Sequence, residues 1–121
     1  FIGLEMVENL VHRGFDVTLL ELADQVLAPL DVEQSRVVED VLRRHGVALA
    51  LGEAVSGFVH QASGEIDVLT KAGTTYTANI VILALGVRPD TELAKSAGLK
   101  LGERGGIRVD EQMRTSDHDI Y

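Results

Sequence analysis

A chain of 121 residues that is 45% hydrophobic has the length and apolar content of one globular domain with a single core. Its formal charge of -8, with eleven Lys and Arg residues that form no run, speaks against nucleic acid, and the absence of cysteine excludes a structural disulfide, a thiolate zinc site and any redox dithiol carried by these residues. The longest apolar run, residues 80–85, is far shorter than the roughly twenty residues of a membrane span, and no basic segment with an apolar core marks a signal peptide, so the expectation is a soluble, cytoplasmic protein without a membrane partner.

Leu4, Val7, Leu10 and Val11, with Met6 beside them, recur at helical spacing and predict an amphipathic helix over 3–13 that Gly14 stops. His12 and Arg13 suit its negative C-terminal end. Phe15, Val17 and Leu19 then alternate toward Glu21, which predicts a strand over 15–21 ending in an acid. After a turn at Pro29, Asp31 and Gln34 have the spacing of a capping box, and Val37, Val38, Val41 and Leu42 predict the buried stripe of a second helix, stopped by Gly46. Val47, Leu49 and Leu51 alternate as the next strand. The turns "QASGE" (61–65) and "KAGTT" (71–75) divide 54–78 into three strands of a meander. The solid apolar run "IVILAL" (80–85) reads as a buried parallel strand ending at Gly86. A turn at Pro89, a short helix capped by Asp90 and closed by Gly98, and a last short strand in "GGIRVD" complete the chain.

Candidate chemistry begins with spacing. Gly3 and Glu21 stand 18 positions apart, close to the roughly twenty that separate a dinucleotide-binding glycine turn from the acid that accepts the ribose hydroxyls. The glycine permits close approach of helix, strand and pyrophosphate, while the helix start offers unpaired N–H groups and a positive dipole end. Two other readings share this pattern. Gly3 can simply pack while Glu21 is a solvated strand end, and methyltransferases that bind S-adenosylmethionine also end a second strand in such an acid. The meander argues against the methyltransferase, which continues there with strand and helix alternation. The four histidines, His12, His45, His60 and His118, lack any spacing that would place two imidazoles on one metal.

The stretches "FIGLEMVENL", "VTLLELADQVLAPLD", "LRRHGV" and "VILALGVRPDTELAKSAGLKLGERGGIRVDEQMRTSDHDIY" together resemble the NAD-binding domain of the pyridine nucleotide-disulfide oxidoreductase flavoproteins. The branch most resembled contains coenzyme A-disulfide reductases and NADH oxidases or peroxidases. The resemblance implies an α/β fold, a Rossmann-like parallel sheet with helices and an inserted three-stranded antiparallel β-meander. It implies NAD(H) as the cofactor of this domain and FAD as that of the parent enzyme, with NADH and the FAD domain of the parent chain as partners; a homo-oligomer stays open. By the same resemblance, Phe1 is similar to an aromatic gate over the flavin, with Ile2 next to it, and Gly3 to the third fingerprint glycine. Glu5 is similar to an acid near the nicotinamide carboxamide, or is an ordinary first-turn acid favoured by the helix dipole. Glu21, with Leu22 beside it, is similar to the ribose-binding acid. Gly86 and Val87 are similar to backbone that passes beside the cofactor, or Gly86 is a strand-end turn; Arg88 reads as a surface charge.

The resemblance also implies a middle domain of a longer flavoenzyme that begins one residue after the second fingerprint glycine. Its first strand, which would lie between the strands ending at Glu21 and Gly86, is then missing, to be replaced by upstream residues, by a neighbouring chain or by direct pairing of the two exposed strands. A dinucleotide-sensing module without turnover remains the alternative. The residues after Glu21, namely Leu22, Ala23, Asp24 and Gln25, offer no cation to a 2′-phosphate, so NADH is expected to be preferred over NADPH.

Overall fold

Glycine stops set the main boundaries in the computed structural model, which describes residues Phe1–Tyr121. The first helix, α1 (Ile2–His12), ends where the Gly14 N–H reaches the Val11 carbonyl at 2.9 Å and the Phe15 N–H reaches that of Leu10 at 3.1 Å. These paired bonds form a Schellman motif, which needs a left-handed residue, and Gly14 supplies it with φ +82°. The second long helix, α2 (Val32–Arg44), ends in the same way at Gly46, through Gly46 N–H to Arg43 O at 3.0 Å and Val47 N–H to Leu42 O at 3.1 Å.

Two compact units make up the chain. In the first, Phe1–Ala84, strand β1 (Thr18–Glu21) pairs in parallel with β2 (Ala48–Leu51), Thr18 facing Ala48 and Glu21 facing Leu51, with α2 as the connection that parallel strands require. The antiparallel sheet β3 (Val55–His60), β4 (Ile66–Thr70) and β5 (Thr75–Ala78) comes next in that order, with a register shift between Val55 and Gly57. This is the expected α/β class with its separate meander. Val7, Val26, Val47 and Val68 are the buried apolar side chains of this unit. In the second unit, Leu85–Tyr121, the short helix α3 (Glu92–Ser96) buries Ala94, and Leu101 bridges Ile107.

Several expectations are corrected. The run 80–85 is not a buried strand: it joins no ladder, and Ile80, Leu83 and Leu85 are 62%, 60% and 88% exposed. A strand exists only with a neighbour to bond, and neither β1 nor β2 pairs with this run, so direct pairing of the two exposed strands does not occur. "GGIRVD" contributes a single bridge rather than a strand. Strand β1 starts at Thr18, three residues later than expected. In α2 the Val37 and Val41 side chains lie exposed, whereas Ser35 and Glu39 are buried. Asp31 is the N-cap residue of α2, but its side chain makes no capping bond; its carbonyl instead receives the Gln34 and Ser35 N–H groups, each at 3.0 Å. The N-cap of α3 is Thr91 rather than Asp90, although the Asp90 carboxylate accepts the Glu92 N–H at 3.4 Å.

Replacing Gly46 by alanine should cost about 1 kcal/mol, because open space surrounds the new Cβ and the whole penalty comes from φ +82°. Gly57→Ala in β3, also with no neighbour within 4 Å but without a positive φ, should be neutral or slightly stabilising. Urea denaturation of the two variants checks the contrast.

Candidate functional site

Strand β1 delivers Glu21 to its C-terminal end, and hydrogen bonds beyond the ladder fix the backbone at residues 21 and 23. The Glu53 N–H donates to Glu21 O at 3.0 Å, and the Gly52 N–H donates to Ala23 O at 2.9 Å. The Glu21 side chain, half-buried, accepts the Ala23 N–H on Oε1 at 2.9 Å, which aims the carboxylate and holds the start of the next loop. Leu22 beside it is exposed.

The loop 22–30 then crosses to α2. Ser35 Oγ donates to Val26 O at 2.7 Å, the Val26 N–H donates to Glu39 Oε1 at 3.4 Å, and Arg43 donates to Glu39 Oε2 at 3.3 Å. Further along, Gln25 Nε2 and the Leu30 N–H close the turn on Leu30 O and Leu27 O, both at 2.8 Å. Sequence reasoning missed Ser35 and Glu39, since polar helix residues read as surface. Their four-residue spacing with Arg43 was the available signal, because it aligns the three on one helix face.

At the start of α1, Phe1 and Ile2 are exposed, and the first helical bond runs from Glu5 N–H to Phe1 O at 3.1 Å. A Cβ on Gly3 would stand 3.3 Å from Ala84 Cβ, so the glycine here serves close packing of the helix start on the end of the 80–84 segment. The exposed Glu5 lines, with Phe1, Leu4, Glu8 and His12, one wall of a groove of about 410 Å³ whose other wall is Val38, Val41, Leu42 and His45 of α2 and its C-cap. Gly86 and Val87 belong to the second unit; Gly86 has φ +86° and Val87 is exposed. Just after β2, Glu53 accepts the Thr74 hydroxyl at 3.4 Å on Oε1 and buries Oε2 without a partner. Asp117, His118 and Asp119 bring three ligand atoms within 4.8 Å of one another on a fully exposed stretch, an arrangement common without an ion. No helix is long and apolar enough to cross a membrane.

Residues 1–121 match the pyridine nucleotide-disulphide oxidoreductase family over their whole length, and the chain belongs to that family. The match removes the methyltransferase alternative. An NADH oxidase of Methanocaldococcus jannaschii is 39% identical over 121 residues, which are 99% of this chain and 26% of that protein. Among solved structures, an NAD-dependent persulfide reductase from A. fulgidus is 44% identical with a TM-score of 0.90, covering 100% of this chain and 22% of that one. The water-forming NADH oxidase of Lactobacillus brevis bound to NADH is 36% identical with a TM-score of 0.89, over 100% of this chain and 26% of that one. An engineered form of that oxidase, bound to NADPH, carries five substitutions; a glycine and an acid among the replaced residues stand 18 positions apart, as Gly3 and Glu21 do. The chain thus spans about a quarter of the length of these relatives.

Gly3→Ala should destabilise the protein by roughly 1 kcal/mol: the new methyl forces α1 and the 84 position apart by a few tenths of an ångström, which outweighs the better helix propensity of alanine in a first turn. Thermal melting of the variant beside the natural protein measures it.

Proposed function

We propose that residues 1–121 form one NAD(H)-binding domain of a longer FAD-dependent pyridine nucleotide-disulfide oxidoreductase, in which it positions NADH for hydride transfer to FAD. The observation that carries this reading is Glu21, an acid at the C-terminal end of a parallel strand, its carboxylate aimed by the Ala23 N–H at 2.9 Å. It stands 18 positions after a glycine whose missing side chain lets α1 approach Ala84. Family membership over the full length supports it, as does the engineered oxidase, in which a glycine and an acid at the same separation are changed in the form that binds NADPH.

In this reading Glu21 accepts the adenosine ribose hydroxyls, with Leu22 beside it, because a carboxylate can take two donors at once. The start of α1 at Phe1, Ile2 and Gly3 presents free N–H groups and a positive dipole end, the chemistry a pyrophosphate needs. Glu5 serves the nicotinamide carboxamide. Phe1 serves as the aromatic gate. The residues fit the group: an aimed acid, a helix start, and a glycine where a Cβ would crowd. NADH held by these residues would supply a hydride. The chain's own residues bind and orient, and none of them is assigned a proton or electron to transfer. The FAD domain of the same parent chain is its partner, in the cytoplasm.

Preference for NADH rests on Glu21, which meets a 2′-phosphate as a like charge, and on the absence of Lys or Arg over 22–25. In the full-length protein, Glu21→Arg should weaken NADH binding by about 1 to 3 kcal/mol. Titration with both nucleotides checks the pair of expectations, and tighter binding of NADPH by the natural protein overturns the assignment. Residues 1–121 prepared alone should be colourless and devoid of NADH oxidase and disulfide reductase activity; a yellow, active preparation contradicts this.

A further inference from the structure

Leu27 sits in the loop after Glu21 with φ +51°, a left-handed conformation that a bulky aliphatic side chain adopts only under constraint. The constraint lies next to it. Both backbone groups of Val26 are taken by side chains of α2: its carbonyl receives the Ser35 hydroxyl at 2.7 Å, and its N–H goes to Glu39 Oε1 at 3.4 Å. Ser35 is fully buried and Glu39 is 7% exposed, while Arg43, one turn on, donates to the second Glu39 oxygen. Helix α2 therefore buries a hydroxyl and a carboxylate and leaves Val37 and Val41 outside, the reverse of what packing alone favours. Polar groups repay such burial only by the bonds they make, and here two of those bonds go to the loop backbone. At its other end the same loop is held at Ala23, by Glu21 Oε1 on its N–H and by the Gly52 N–H on its carbonyl.

We propose that Ser35 and Glu39 are positioning residues for cofactor discrimination: they clamp Val26 and so keep the loop 22–30 in the conformation in which Glu21 and Leu22 favour NADH over NADPH. This rests on the ribose role of Glu21 proposed above. Neither side chain touches the cofactor in this account; each acts through the backbone of Val26. With the clamp released, the loop beyond Ala23 relaxes from the Leu27 conformation, Asp24 to Val26 lose their fixed place, and a 2′-phosphate can settle farther from the carboxylate.

The test uses the full-length protein with Ser35→Ala and, separately, Glu39→Met, which removes the oxygen that accepts the Val26 N–H, each titrated with NADH and NADPH by nucleotide fluorescence and assayed at steady state. Expected are a loss of NADH affinity of about three- to tenfold, a parallel rise in KM with kcat held within about twofold, and a narrowed NADH-to-NADPH ratio. A lowered melting temperature with affinity and ratio unchanged makes the pair structural and overturns the proposal. If Ser35→Ala does not fold, Glu39→Met, of nearly the same length and size, is decided by the same readings. Glu21→Arg run in parallel separates the two levels. Unchanged NADH affinity in that variant sinks the ribose assignment, whereas a loss there with an unaltered ratio in both clamp variants sinks the clamp alone.

Discussion

Parallel strands cannot be joined by a tight turn, and this requirement organises the first unit. Pairing β1 with β2 demands a crossover, and α2 supplies it. Because the two strands run the same way, the loop that leaves β1 and the segment that leaves β2 emerge at one end. There Glu53 and Gly52 extend the hydrogen bonding to Glu21 and Ala23. The candidate acid is thus fixed from three sides: by its own strand, by the neighbouring strand's continuation and by the loop N–H that its carboxylate accepts. Losing the parallel register by one residue would turn Glu21 to the other face.

Val7, Val26, Val47 and Val68 are buried in the first unit, while Ile80, Ile82, Leu83, Val37 and Val41 are exposed. Directional bonds also hold this frame, namely the glycine-closed helix ends and the polar contacts of Ser35 and Glu39. Val81 and Leu83 of the run 80–85 line, with Phe58, His60 and Ile66, a cavity of about 160 Å³ against the meander. That contact covers part of the run and leaves its backbone outside any ladder.

Local pattern made the regular elements legible. The three- and four-residue spacing of Leu4, Val7, Leu10 and Val11 together with Gly14 located α1 to within one residue at each end, and the turn residues at 61–65 and 71–75 separated the three meander strands correctly. What failed depended on neighbours. Residues 80–85 have the composition of a buried strand, yet burial and pairing belong to the surroundings and not to the run itself. The face of α2 was misread for a related reason: its valines spell a stripe, but the loop backbone at Val26 needed bonding partners, and Ser35 and Glu39 provide them. Of the candidate site, the close packing at Gly3 and the place of Glu21 at the end of a strand were legible, because both follow from local pattern. The Ser35 and Glu39 contacts, 9 and 13 residues from Val26 in sequence, were not.

The two sheets also differ in how far along the chain their partners lie. Within the meander the pairings span as little as His60 to Ile66, whereas β1 must find β2 across 30 positions, from Thr18 to Ala48. Closing the longer loop costs more chain entropy before any contact rewards it, and it requires α2 to form between the ends. Loop closure therefore weighs less on the meander, a string of adjacent hairpins, than on the parallel pair that carries Glu21, so the acid end of the first unit depends on the pairing that costs the chain most entropy.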